Sequence, residues 1–452
     1  MKKIILGLFL LSFSLNTTFA LTLTDKQKAY EAILVEQIRI DEPGVAVIVS
    51  QKGNVLFKGA RGLANLEHNI PLTTDSVFRL GSITKQFTAA AIMILQERKK
   101  LSVDDDILKY VPYFPTEGNK VTIENLLTHT SGIANYTEDR SIFSKEIQVP
   151  TTIDEMLVRF AQHPMKFKTG DKMSYSNTGY VLLGKIIEVA SGQSYAHFIE
   201  ENIFKKLGMK SSRYGGSQII PNRASGYDKI PDGFENAKYI DMMWPHAAGS
   251  LLSTVIDINR WFSALRDGEL LSKESYQKMI KPFTLNDGSI SKYGYGLSNQ
   301  NLNKYDIIAH NGGIPGFVTA AFYIPSEDLY IAVFSNSNSR DPSVISRLLA
   351  AEALEIPWPK FKAIEISREK IESLIGRYQV KVDSVRTLSM KNGNVYFQSN
   401  KGRKSQIHPM SENSFYFENS LNYIVIEQNE DGNKVMNIYR NLSIKPQQAI
   451  KI

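Results

Sequence analysis

Ser82 and Lys85 are the pair in this chain whose types and spacing best suit a reaction. They lie in Phe78-Arg79-Leu80-Gly81-Ser82-Ile83-Thr84-Lys85-Gln86-Phe87-Thr88. Residues three apart at the start of a helix share a face, so the amine reaches the hydroxyl. The positive end of the helix dipole disfavours a second positive charge, and burial acts in the same direction. A lysine kept neutral in this way is a base, and Ser82 beside it is a nucleophile able to form an acyl-enzyme. The same spacing recurs at Ser275 and Lys278, Ser289 and Lys292, and Ser367 and Lys370, in polar surroundings that suit solvated helix faces or loops. Ser82 differs because Thr88-Ala89-Ala90-Ala91-Ile92-Met93-Ile94-Leu95 follows it, a small and apolar run suited to a buried helix.

A nucleophile also needs a proton path, an oxyanion site and a group that orients the substrate. Tyr175-Ser176-Asn177 lies between Gly170 and a helix expected to start near Thr178. A tyrosine relays a proton if a nearby cation lowers its pKa, and an asparagine amide holds a substrate carbonyl. An aromatic turn residue followed by an asparagine helix cap fits the same residues. His310-Asn311-Gly312-Gly313 follows the apolar run Ile307 to Ala309. Glycines beside a strand let a substrate backbone approach, and a bare N–H there serves as an oxyanion donor. A glycine-rich turn with a surface histidine fits as well. His129 is read as structural, because no G-x-S-x-G elbow occurs to give it a serine partner. The seven histidines include no H-E-x-x-H pair, and the absence of cysteine excludes thiol nucleophiles, disulfides and thiolate metal sites. The reading assigns no metal and no organic cofactor.

These residues must be positioned by elements of mixed type. A helix is expected over Asp25 to Arg39, and a hairpin from Val45-Ala46-Val47-Ile48-Val49 and Val55-Leu56-Phe57 around Gln51-Lys52-Gly53-Asn54. Helical patterns then dominate to about residue 280. Strands return at Ile307 to Ala309, Thr319 to Ile324 and Tyr330 to Phe334. Strands from both ends with helices between them predict an α+β arrangement, one antiparallel sheet covered by helices. Ile356-Pro357-Trp358-Pro359 then breaks the helical pattern of Pro342 to Leu354. Beyond it a short helix from about Ser367 to Leu374 precedes strand-like runs at Val395 to Phe397, Phe415 to Phe417, Tyr423 to Ile426 and Val435 to Tyr439. Turn signals at Asn392-Gly393 and Asp431-Gly432 separate them, which predicts a small all-β barrel or sandwich with Tyr396 and Phe417 facing inward.

The chain opens with Lys2-Lys3, an apolar run from Ile4 to Leu15 and Thr17-Thr18-Phe19-Ala20, the parts of a secretory leader cut after Ala20. The apolar run is too short to span a bilayer, which needs about 20 residues. The expected product is exported, periplasmic or secreted, with no stable membrane insertion. Losing Lys2 and Lys3 takes the formal charge from +7 to +5, and no dense basic block occurs. Nucleic acid is therefore not an expected partner, while weak attraction to anionic cell-envelope polymers is compatible with the charge. The domain reading is 1–20 leader, 21–356 catalytic domain, 357–366 linker and 367–452 barrel-like domain.

The ordered set S-x-x-K, Y-x-N and H-x-G resembles the serine hydrolases that include class C β-lactamases, D-alanyl-D-alanine carboxypeptidases, D-aminopeptidases and related esterases. Leu126-Leu127-Thr128-His129-Thr130-Ser131-Gly132-Ile133, Ala248-Gly249-Ser250-Leu251 and Tyr293-Gly294-Tyr295-Gly296 also resemble stretches of that family. The resemblance covers about residues 25 to 355 and implies a β-lactamase/transpeptidase-like fold with the site between helices and sheet. It implies Ser82 as nucleophile, Lys85 as activating partner, Tyr175 as general base or relay, and Asn177 as substrate-orienting amide. His310 and Gly312 would line the substrate, with His310 where β-lactamases usually have lysine, as a weaker, pH-dependent carboxylate anchor that titrates near its ordinary pKa of about 6.5. The N–H groups of Ser82 and Gly313 would form the oxyanion hole. The C-terminal domain resembles the lipocalin-like appendages of some members. A literal Lys168-Thr169-Gly170 precedes Tyr175, out of the family's order, and is read as a turn. The implied activity is acyl transfer to water from D-amino-acid peptides, cell-wall-type peptides or small esters. The alternatives are a class C-like β-lactamase and a non-catalytic penicillin-binding sensor.

Overall fold

The structure is a computed structural model that describes residues 25–452 except 359, 419, 441, 442 and 444. The leader expected over 1–20 lies outside the described residues. Among them no helix is long and apolar enough to cross a membrane. The chain divides into two compact units. One holds the described residues up to Gln300 with Asp306–Leu349, and the other holds Asn301–Tyr305 with Ala350–Ile452.

In the first unit, helix α1 covers 25–37. The expected hairpin forms from β1 (Val45–Gln51) and β2 (Asn54–Arg61). Lys52 and Gly53 join them at φ 50° and 77°, the left-handed pair that a two-residue turn requires. Four later strands complete the sheet: β3 (Ser298–Leu302), β4 (Tyr305–Ile314), β5 (Phe317–Ile324) and β6 (Leu329–Ser335). The order is β3-β4-β5-β6-β1-β2, so the first and last strands of the unit lie side by side, with Val45 opposite Ser335. β1 and β6 are apolar and almost wholly buried, as strands covered on both faces must be.

The helices between them build the other wall. Helix α2 (Thr84–Glu97) is buried from Thr84 to Leu95, because its alanines and β-branched residues leave no polar face. Helix α3 (Asn177–Ser191) packs against it, and helix α4 (Val255–Asp267) covers β1 and β6. Phe87 of α2 stacks on Trp261 of α4, with ring centroids 4.1 Å apart. The α+β expectation stands. Short strand pieces were not foreseen, among them Phe78–Arg79, which pairs with Leu251–Ser253.

The second unit is a closed barrel of eight strands, from Gly376–Lys381 to Gln447–Lys451, each beside its neighbour in the chain. Tyr378 opposite Lys451 and Gln379 opposite Ile450 close it, which leaves no free edge. Helix α5 (Arg368–Leu374) precedes it, with the Ser367 hydroxyl accepting from the Lys370 N–H. One expectation is corrected. Val395 and Phe397 are the buried residues of their strand, so period-two alternation turns Tyr396 outward. Phe417 packs edge-on against Phe397, with centroids 5.2 Å apart.

Candidate active site

Ser82 occupies a 3-10 turn, Gly81–Ile83, that runs straight into α2. Side chains three apart nearly eclipse in such a turn, which aligns Ser82 with Lys85. Ser82 is half-buried while Gly81 and Ile83 are fully covered. Gly81 has φ +54°, and a Cβ there would lie 2.8 Å from the Gly313 nitrogen. Glycine is required by both the backbone sign and the close approach.

The Lys85 side chain is fully buried, and Nζ has three contacts. It lies 3.2 Å from Ser82 Oγ, 2.7 Å from Asn177 Oδ1 and 2.8 Å from the Ala248 carbonyl. None is a carboxylate, and burial holds its pKa well below the usual 10.5. A neutral amine fits these partners. Its two N–H bonds serve Asn177 and Ala248, which only accept at these atoms, and its lone pair receives the Ser82 O–H. Ala248 is a position that the sequence flagged within Ala248-Gly249-Ser250-Leu251 without assigning it a contact.

Asn177 is the first residue of α3, and Ser176 is the cap, accepting from the Gly179 N–H at 3.3 Å. The capping alternative for Asn177 is thereby corrected: the serine takes that work and leaves the amide free to face Lys85. Asn177 Nδ2 donates to Thr137 Oγ1 at 3.3 Å, and its N–H donates to Asn135 Oδ1 at 3.0 Å. Sequence reasoning missed Asn135 and Thr137, since nothing in their spacing links them to α3.

The Tyr175 ring lies under Lys85, with Nζ 4.7 Å from its centroid. The expectation of a lowered phenol pKa is corrected. Burial pushes it up, and the nearby Ser82 hydroxyl only partly offsets this. Tyr175 is therefore a protonated O–H next to a neutral amine. His129 fixes it. The His129 carbonyl accepts from the Ser174 N–H at 2.9 Å, and Nδ1 accepts from the Ser176 N–H at 3.1 Å. Its ring packs on Tyr175 with centroids 4.2 Å apart. Since Nδ1 accepts, the ring proton is on Nε2, and burial holds the pKa well below 6.5. His129 grips the chain on both sides of Tyr175, as a structural histidine would.

His310 and Gly312 fall on β4 but not in the roles expected of them. Both His310 nitrogens are taken: Nδ1 lies 2.6 Å from the Asn311 carbonyl and Nε2 lies 2.7 Å from the Tyr293 hydroxyl. A carbonyl only accepts, so Nδ1 carries the proton and Tyr293 donates to Nε2. Burial pushes the pKa down to about 3. The ring is thus a buried neutral group, and the charged anchor expected near neutral pH is corrected on that ground. Gly312 is buried, and a Cβ there would lie 2.0 Å from the Leu80 carbonyl. It serves the close approach of β4 to the Ser82 segment in place of the expected contact with substrate.

Gly313 is exposed, with nothing near its missing Cβ. The turn Pro315-Gly316 makes Ile314 and Phe317 the first, bonded pair of the β4–β5 ladder. Gly313 and Val318 are then a non-bonded pair, so the Gly313 N–H points off the ladder, toward the side where Gly81 and Ser82 lie. The site thus brings together Ser82, Lys85, Tyr175, Asn177 and the Gly313 N–H.

The decoys separate from it. Lys168-Thr169-Gly170 forms a turn, with Gly170 at φ +84°. Ser289 bonds Asp287, and Ser367 caps α5. Ser275 is buried, contrary to the solvated face expected, because its hydroxyl donates to Glu97 at 2.6 Å.

Comparison with known proteins gives the family. The family model described as Beta-lactamase matches residues 32–355. Penicillin-binding protein 4* of Bacillus subtilis (strain 168) is 29% identical over 421 residues, covering 87% of this chain and 92% of that protein. The octameric penicillin-binding protein homologue from Pyrococcus abyssi superposes with a TM-score of 0.67 at 28% identity, covering 93% of this chain and 99% of that one. The D-amino acid amidase from Ochrobactrum anthropi SV3, solved with L-phenylalanine amide, gives a TM-score of 0.63 at 26% identity, covering 74% of this chain and 98% of that one. With a family match spanning most of its length and a fold shared with these proteins, the chain belongs to the beta-lactamase family of serine hydrolases.

Proposed function

We propose that the protein is an exported hydrolase that carries an acyl group on Ser82 and releases it to water, acting on D-amino-acid amides, short peptides or small esters. The observation that carries this reading is the Lys85 environment, a buried amine with three polar contacts and no carboxylate. Lys85 takes the Ser82 proton as Oγ bonds to the substrate carbonyl carbon. The N–H groups of Ser82 and Gly313 hold the resulting oxyanion. As the intermediate collapses, Tyr175 gives its proton to the leaving nitrogen or oxygen and regains one from the Lys85 ammonium. Water then adds to the ester carbon, the same pair accepts its proton, and that proton returns to Ser82 Oγ as the acid leaves. Asn177 orients the substrate through its remaining amide hydrogen.

The D-amino acid amidase among the similar structures supports an amide substrate, and the Lys2-Lys3 leader pattern supports export. Efficient β-lactam hydrolysis is the weaker reading, since the neutral His310 offers no fixed charge to a β-lactam carboxylate. Intact-mass measurement after a fluorophosphonate, and separately a penicillin, tests the proposal. The expected result is one adduct on the native protein, none on Ser82→Ala, and turnover of a chromogenic ester only by the native protein. Ester turnover by Ser82→Ala would overturn it. A penicilloyl adduct that never clears, with no ester turnover, would favour a sensor.

A further inference from the structure

A second cluster lies next to the site and takes no part in the chemistry above. Three cations, Arg79, Arg223 and Lys238, line a cavity of about 250 Å³ with Tyr239, Pro315 and Phe317. Arg79 reaches it because Phe78, the other residue of its short strand, is fully buried on the opposite side. Backbone bonds fix the walls. The Val77 N–H donates to Asn222 and the Ala224 N–H to Val77, which sets segment 222–224 beside the strand that leads to Ser82. A Cβ on Gly316 would lie 2.7 Å from the Gly226 Cα, so the Pro315-Gly316 turn closes against the opposite wall.

The charges do not cancel. Among the described residues, none of the three cations has an ion pair with a carboxylate, whereas other arginines such as Arg260 and Arg266 do. The Arg79 guanidinium carbon lies 5.9 Å from the centroid of the Phe317 ring. Burial and the like charge of Arg223 both push its pKa down, and Tyr239 offsets part of this. Glu67 accepts from Asn236 on the cavity wall, but it is also held by Tyr227 and pairs with no cation there. Gathering like charges around a cavity is unfavourable until an anion fills it, and guanidinium groups suit a carboxylate.

The position of the cavity along β4 gives its place in the reaction. Tyr175, which protonates the leaving group, faces the His310 end of the strand, with ring centroids 6.3 Å apart. The oxyanion donor is Gly313, and the cavity begins at Pro315. The leaving group therefore lies toward His310 and the acyl part toward the cations. We infer that the Arg79–Arg223–Lys238 cavity is a subsite for a carboxylate borne on the acyl part of the substrate, so that the preferred acyl donors are acidic. This rests on the acyl-enzyme reading of Ser82.

The test compares the 4-nitrophenyl half-ester of glutaric acid with the same compound capped as its methyl ester, and measures glutarate binding separately by calorimetry. The native protein should favour the acid in kcat/KM. Arg223→Gln, at an exposed position, should lower the acid-to-neutral ratio about tenfold, and Arg79→Gln at least as much, with melting curves confirming the fold. Lys210→Gln, an exposed cation elsewhere, should leave the ratio alone. Glutarate should bind the native and Ser82→Ala proteins alike and bind Arg223→Gln about tenfold more weakly. An unchanged ratio in both arginine variants, or an equal fall in Lys210→Gln, overturns the subsite. So does glutarate binding that ignores both arginines. If Ser82→Ala still hydrolyses the esters while glutarate binding depends on Arg223, the subsite stands and the Ser82 reading fails.

Discussion

Replacing Lys85 by methionine keeps the length of the side chain and removes the amine, which isolates its work as a base. A positioned base contributes about 10²–10⁴ in rate, and Lys85 is the only amine touching Ser82 among the described residues. A fall of about 10³ in the rate of Ser82 acylation is expected, or about 4 kcal/mol of barrier. The fold loses less. Asn177 Oδ1 and the Ala248 carbonyl each lose a buried donor, at about 1–3 kcal/mol apiece. Removing a desolvated amine offsets part of that, so a net loss of about 2 kcal/mol is expected. The assay is the second-order rate of fluorophosphonate labelling by intact mass, with a thermal melt on the same sample. The pH profile of the native protein is the second arm. Because burial holds Lys85 well below 10.5, its amine is free on the alkaline side of the lowered value, and the rate should level off well before pH 10.5. On the acid side it should fall about tenfold per pH unit as the amine takes a proton. A Lys85→Met protein that labels within tenfold of native, or a native rate still climbing at pH 10, would refute the neutral-base argument.

Three further outcomes follow from the same geometry. Gly81→Ala places a Cβ 2.8 Å from the Gly313 nitrogen at φ +54°, and should cost about 1–3 kcal/mol in stability while lowering kcat, since both oxyanion donors move; an unchanged kcat would separate Gly81 from their alignment. Tyr293→Phe leaves His310 Nε2 a buried acceptor with no donor, and should lower stability by about 1–3 kcal/mol in denaturant titration; a silent change would mean that the bond carries no weight. Acid should destabilise the fold through His129 and His310, whose folded pKa values lie below 6.5 while the unfolded chain takes protons there. Stability is then full above about pH 6.5 and falls on the way down toward pH 3, by about 1 kcal/mol per histidine between pH 6.5 and 5.5. Urea midpoints across that range measure it, and His310→Gln should flatten the slope.

What the sequence made legible here is what local chemistry writes into neighbouring residues. Ser82 and Lys85 are read from one turn of helix, and the apolar run behind them identifies the helix as buried. The barrel strands that were foreseen, such as Tyr423–Gln428, carry a run of aromatic and β-branched residues that marks a strand without help from its neighbours. Those that were missed, such as Lys404–Ser411 and Gln447–Lys451, bury a single residue each and rely on neighbouring strands for their register. The same limit explains the site. Thr137 and Ala248 meet Asn177 and Lys85 across 40 and 163 residues of chain, and no spacing rule reaches that far. The charge states were the least legible of all, because burial sets them. Tyr175 and His310 were read with the pKa logic of exposed groups, a phenol lowered by a cation and an imidazole titrating near 6.5. In the folded protein both lie among aromatic rings that exclude water, so each keeps its neutral form. That shared neutrality is what lets one buried amine act as a base: a phenolate or a carboxylate beside Lys85 would hold it protonated, and Ser82 would keep its hydrogen.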